Sequence, residues 1–157
     1  MAIIELKDIK TGLNRGQRLL GLDLGSKTIG LALSDTLLSV ASPLETIKRT
    51  KFTKDAMRLI ELIEEHDVGA LVLGMPFNMD GTEGARCQST RDFAHNFKGL
   101  REMPIALWDE RLSTSAVERM LVTDVDMTRK RRSEVIDKLA ATYILQGALD
   151  ALAYQHK

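Results

Sequence analysis

The 157-residue sequence predicts an α/β fold, a five-stranded mixed sheet in the order 3-2-1-4-5 with strand 2 antiparallel to the rest and helices on its faces. Three observations predict it. Arg18 to Asp35 (RLLGLDLGSKTIGLALSD) reads as two apolar strands joined by a tight Gly-Ser turn. Val68 to Gly74 (VGALVLG) and Pro104 to Trp108 (PIALW) are short apolar runs, each preceded by a helical pattern, as buried parallel strands are. Parallel crossovers are right-handed, so strand 4 is expected beside strand 1 and strand 5 beyond it.

Residues 1–17 carry Gly12, Asn14 and Gly16 among scattered charges without a period, and read as a loose lead-in that pairs weakly with an edge. Residues 18–157 form the domain proper. In the first strand Leu19, Leu20, Leu22 and Leu24 are apolar on both sides, which sets Asp23 in a run that otherwise belongs in a core. A buried charge without a partner costs several kcal/mol or more, so Asp23 calls for a partner, a proton, a strand end or a cation. In the second strand Ile29, Leu31 and Leu33 share one face, while Gly30, Ala32 and Ser34 leave room for a helix on the other. Ser39 to Ile47 is the third strand, and Pro43, lacking a ladder donor, places it at an edge.

Thr50 to His66 is an amphipathic helix with Phe52, Ala56, Leu59, Ile60 and Ile63 on its apolar face. After strand 4, Pro76, Asn78, Asp80, Gly81 and Gly84 make a loop before a helix expected from Thr82 or Glu83 to about Lys98, burying Phe93, Ala94 and Phe97. Beyond strand 5, Ser113 or Thr114 caps a helix containing Ala116, Val117, Met120 and Leu121. Asp124 to Arg132 interrupts the pattern, and the last helix is expected from about Ser133 to Ala153. This order of elements is the architecture of the ribonuclease H-like fold.

Composition limits the function. Hydrophobic residues at 44% and charged residues at 28% fit an ordinary soluble domain, and a formal net charge of zero argues against a globally basic nucleic-acid binder while allowing a local patch. Cys87 is the single cysteine, which leaves no internal disulfide and no cysteine-built metal site. No apolar run approaches 18 residues and no signal-peptide pattern opens the chain, so a cytoplasmic protein without a membrane partner is expected.

Ligands of open parallel sheets gather outside the carboxyl ends of the strands. Asp23 and the pair Asp109 and Glu110 lie near two such ends. Alternation leaves open which of the pair points inward, since a bulge would reverse the answer. Asp137 joins them from the last helix, where it shares a face with Ala140, Ala141, Ile144 and Ala148. Carboxylates brought together repel unless a cation lies between them. Oxygen ligands without His or Cys favour magnesium or manganese over zinc, and such sites hydrolyse phosphodiesters.

The segments GLDLGSKTIGLALSD, LGMPFNMDGTEG, WDERLST and IDKLAATYILQ, in this order between about Arg18 and Asp150, resemble the YqgF family of ribonuclease H-fold proteins. These are Holliday-junction-resolvase-like nucleases that process precursor small-subunit ribosomal RNA. The resemblance implies a metal-dependent nuclease in ribosome biogenesis, with Asp23, Glu110 and Asp137 as its metal-binding catalytic set. It implies precursor ribosomal RNA or branched DNA as substrate. A four-way junction, by its symmetry, would call for a homodimer.

Arg129, Lys130, Arg131 and Arg132 immediately precede the expected helix of Asp137, where they would grip phosphates; a plain solvated loop is the bland alternative. Lys27 in the first turn and Arg111 after Glu110 are further candidates for phosphate contacts, and the loop from Asn78 to Gly84 offers backbone donors at a helix start. The first hairpin also resembles the phosphate-binding hairpin of actin and sugar-kinase ATPases, but those enclose a nucleotide between two such domains and this chain has material for one. A non-catalytic nucleic-acid-binding factor is the third reading, and three retained carboxylates argue against it.

Overall fold

The computed structural model describes residues 3–78, 80–110 and 129–155, with side chains in the last segment described for 138–154. Five strands, β1 (Arg18–Leu24), β2 (Thr28–Ser34), β3 (Ala41–Lys48), β4 (Val68–Met75) and β5 (Ile105–Asp109), form one sheet in the order β3-β2-β1-β4-β5. β2 runs antiparallel to both its neighbours, and the β1–β4 and β4–β5 pairs are parallel, as expected.

The period of two in β1 and β2 divides the core. Leu20, Leu22, Leu24, Ile29 and Leu31 pack with Ala56, Leu59 and Ile63 of α1 (Phe52–Glu65) and with Phe93, Ala94 and Phe97 of α2 (Ala85–Leu100). Leu19, Ala32, Ala70 and Val72 face the other way, onto Ala141, Ile144, Leu145 and Ala148 of α3 (Arg129–Gln155). Small residues on this second face permit the close approach. β3 is an edge strand, and its register shifts opposite Leu31 and Ala32, where Pro43 stands in the ladder.

Three expectations are corrected. Residues Leu6–Gly12 form a 3₁₀ helix whose Ile9 is fully buried, so the lead-in contributes to the core; Ile4 also makes the edge pairing, a parallel bridge to Ala106. The last helix already includes Arg129, four residues before Ser133, so the basic run is helical and not a loop. Arg and Lys are good helix formers, so a run of four cations can be part of a helix. The second helix begins at Ala85 after Gly84, two to three residues later than expected, because Asp80 and Thr82 are engaged in the loop before it. The helix expected around Ala116 to Leu121 lies outside the described residues. No described helix is long and apolar enough to cross a membrane.

Candidate active site

Asp23 is the penultimate residue of β1, opposite Gly30 of β2. Side chains alternate along a strand, so Asp23 shares the α3 face with Leu19 and Gly21. Contact there is close, since a Cβ on Gly21 would stand 2.8 Å from Leu145 Cβ and 3.2 Å from the Ala141 carbonyl oxygen. Beyond Asp23 the chain reverses through a turn closed by the Gly25 N–H donating to the Thr28 carbonyl at 2.8 Å.

Glu110 follows β5 directly. In the β4–β5 register Gly74 pairs with Trp108 and Met75 with Asp109. Trp108 packs in the α3-side cluster, so alternation turns Asp109 to the opposite face. The position of Glu110 is visible directly: a Cβ on Gly74 would stand 2.6 Å from Glu110 Oε2 and 2.5 Å from Ile144 Cδ1. The Glu110 carboxylate therefore rests above Gly74 on the α3 face, the same face as Asp23. Burial pushes its pKa above the ordinary range, opposed by the positive charge of Arg86 and reinforced by the negative charge of Asp109.

The helix that carries Asp137 is placed by its contacts with the sheet. Gln146 binds the start of β3, accepting from the Ala41 N–H at 2.8 Å and donating to the Ser39 carbonyl at 3.0 Å. Ala41 pairs with Ser34, whose hydroxyl oxygen accepts from the Leu19 N–H at 2.8 Å, so Gln146 stands level with the beginning of β1. Ala141 and Leu145 lie over Gly21, and α3 thus runs antiparallel to β1. From Gly21 to Asp23 the strand advances about 6.7 Å. From Ala141 back to position 137 the helix covers about 6 Å. The backbone at Asp137 is accordingly level with Asp23, one turn before Ala141; the Asp137 side chain lies outside the described residues.

Lys27 is exposed in the β1–β2 turn. Asn78 is exposed too, and its side chain organises its own loop, with Nδ2 donating to Thr82 Oγ1 at 3.0 Å and its N–H to the Thr82 carbonyl at 2.9 Å. Arg111 lies outside the described residues, as do the side chains of Arg129, Lys130, Arg131 and Arg132. Two arginines not anticipated from sequence stand beside Asp23. Arg49 Nη1 donates to the Gly25 carbonyl at 2.6 Å, and Arg86 Nη2 reaches the Leu24 carbonyl at 3.5 Å. Both contacts are to main-chain oxygens 24 and 62 residues away, for which a sequence carries no local signal.

Among the described residues no group of three or more His, Cys, Asp or Glu is set to hold a metal ion. Asp23 and Glu110 nonetheless supply oxygen donors from one face, and Gly74 leaves the hollow that the Glu110 carboxylate occupies. Such a donor set suits a hard divalent cation, magnesium or manganese.

The family model described as RuvX, Holliday junction resolvase, matches residues 17–151. A protein of Paramagnetospirillum magneticum named "Putative pre-16S rRNA nuclease" is 61% identical over 150 residues, covering 96% of each chain. One of Rhodospirillum centenum with the same name is 60% identical, covering 97% of this chain and 83% of its own. Among solved structures, T. thermophilus RuvC in complex with Holliday junction substrate superposes with a TM-score of 0.53 at 16% identity, over 86% of this chain and 94% of that one. Fowlpox virus resolvase in complex with Holliday junction DNA gives 0.54 at 8% identity, over 87% of this chain and 99% of that one. Those two likenesses establish the ribonuclease H-like fold. With the matched model spanning every described strand, the chain belongs to the RuvX family, the YqgF family that its four motifs resemble.

Proposed function

We propose that this protein is a metal-dependent nuclease that hydrolyses phosphodiester bonds in nucleic acid and acts in the maturation of precursor 16S ribosomal RNA. The observation that supports the reading is that Asp23 and the Glu110 carboxylate share one face of the sheet, the face covered by the helix of Asp137, near the carboxyl ends of parallel strands. The names of relatives at 60–61% identity supply the ribosomal RNA.

Asp23, Glu110 and Asp137 would hold magnesium or manganese. When bound, the ion polarises the scissile phosphate and raises the nucleophilicity of water. The protein's own part is placement. β1 lies between β2 and β4; Asp23 pairs with Gly30 of β2, and the ladder to β4 ends one residue before it, at Leu22 and Leu73. Gly74 and the buried Ile144 confine the Glu110 carboxylate above β4. Lys27, Asn78, Arg111, Arg129, Lys130, Arg131 and Arg132 contact phosphates and fix the backbone, which positions the substrate without reading its sequence.

The test is cleavage of labelled precursor 16S ends, single-stranded DNA and four-way junctions in magnesium or manganese. Asp23→Asn, Glu110→Gln and Asp137→Asn are expected to fall to background, while Asp109→Asn, on the other face, keeps cutting. Junction cleavage in place of RNA cleavage would make the protein a resolvase. Wild-type cutting that survives both chelation and Asp23→Asn would defeat the reading and leave a non-catalytic binding factor.

A further inference from the structure

The site end of the sheet carries a group of four neighbouring cations. β1 and β3 end, and β2 begins, at this same end, and Thr28 pairs with Lys48 in the ladder. Lys27 in the β1–β2 turn, Lys48 at the end of β3, and Arg49 and Lys51 before α1 are all exposed. Arg49 fastens them together, since its N–H donates to the Lys27 carbonyl at 2.8 Å and its guanidinium to the Gly25 carbonyl at 2.6 Å. This sets a guanidinium with further N–H donors two residues from Asp23.

Elsewhere three arginines are neutralised, whereas Arg15 and Arg18, at the other end of β1, carry no ion pair among the described residues. Arg58 pairs with Glu45 and Glu61, Arg91 with Glu83, and Arg101 with Glu64. Among the described residues, none of Lys27, Lys48, Arg49 and Lys51 has a carboxylate within ion-pair distance. In a chain of zero net charge, four unpaired cations on one rim make a local positive field. Strands are about 4.8 Å apart, so the row from β1 to β3 spans about 10 Å. A nucleic-acid strand presents a phosphate roughly every 3.4 Å along its helix axis, or about three over that row.

We infer that Lys27, Lys48, Arg49 and Lys51 form a track for the phosphodiester backbone, leading the substrate strand from the Asp23 site across the β1–β2 turn towards the start of α1. The inference rests on the nuclease reading and adds to it the direction in which the strand leaves the site.

The experiment is an anisotropy titration of a labelled single-stranded RNA and of a labelled four-way DNA junction, against salt, with Asp23→Asn as the parent so that nothing is cut. The test variant is Lys48→Gln/Lys51→Gln, whose side chains make no hydrogen bond among the described residues and so spare the Arg49 contact. Arg15→Gln/Arg18→Gln, at the start of β1 and so at the opposite end of the sheet, removes the same charge as a control. Losing two contacts should lower the salt slope by about 1.4 on single-stranded RNA and about 1.8 on duplex arms, or about 25-fold and 60-fold in affinity at 0.1 M salt. The arm with the loss identifies the strand that the track holds. Parent-like affinity and slope in the test variant, or an equal loss in the control, overturns the inference while a cleaving wild type keeps the nuclease reading. A parent that binds neither probe and a wild type that cuts nothing would remove both.

Discussion

Gly74→Ala offers a sharp test of how the site is held. The added methyl would stand 2.5 Å from Ile144 Cδ1 and 2.6 Å from Glu110 Oε2, against the 3.4 Å at which ordinary contact begins, so each neighbour must retreat by about 0.8–0.9 Å. Glu110 Oε2 is the end of a flexible side chain and can swing away. Ile144 is only 1% exposed and has no free space to enter. Overpacking of this kind costs about 1–3 kcal/mol. At roughly 2–4 °C per kcal/mol for a chain of this length, Tm should fall by about 2–12 °C. Displacing a reacting group by nearly 1 Å costs about 100-fold in rate. The two effects separate in Gly74→Ala/Ile144→Val, which deletes the clashing Cδ1 but leaves Glu110 displaced. Thermal melts should then return to the level of Ile144→Val alone, itself about 0.5–1.5 kcal/mol below wild type. Cleavage of precursor RNA should stay low. Wild-type cleavage by Gly74→Ala, or its recovery in the double variant, would refute the placement of Glu110.

Other expectations concern the parts around the site. Ile9→Ala should lower stability by about 2–5 kcal/mol in chemical denaturation, because Ile9 is fully buried against the α3 side; a loss below about 0.5 kcal/mol would restore the loose lead-in. Gly147→Ala would set a methyl 2.9 Å from Cζ2 of Trp108, the protein's single tryptophan, so its fluorescence should shift together with a loss of about 1–3 kcal/mol. Asp35 is held below its ordinary pKa foremost by the Val40 N–H, with slight burial opposing and the Ser39 N–H and hydroxyl assisting. Its contribution is therefore complete above the unfolded value of about 3.9 and is lost as pH falls through the depressed folded value. Asp35→Asn should melt below wild type at pH 7, with the gap closing under acid; a gap that persists at pH 2 would contradict this.

The fold was legible because its periods are clean. The unbroken run at Val68, the alternation from Ile29 to Ser34 and the helical spacing of Ala56, Leu59 and Ile63 each admitted one reading, and the sheet order followed from chain connectivity. Ile9 was missed because a 3₁₀ helix of seven residues shows no amphipathic repeat. The start of the last helix was misplaced because a run of four cations resembles a loop, although each is a good helix former. At the site, the strand ends pointed to Asp23 and to the Asp109 and Glu110 pair. The choice within that pair needed the ladder register and the contact over Gly74, which are three-dimensional facts. Arg49 and Arg86 escaped notice because they bind main-chain carbonyls, and any residue type presents those.

The central position of β1 has a consequence for fluctuation. Leu19, Leu20 and Leu22 are fully buried on alternate faces of a strand with neighbours on both sides, so its amides exchange with solvent only when both cores come apart. Asp23 rides on that strand. Native-state hydrogen exchange should find the β1 amides at the free energy of global unfolding, while the Asp35 to Val40 hairpin, exposed at Leu37 and Val40, opens at far lower cost. The aspartate thus sits in the last cooperative unit to open, and whatever plasticity accompanies substrate entry must come from the elements around it.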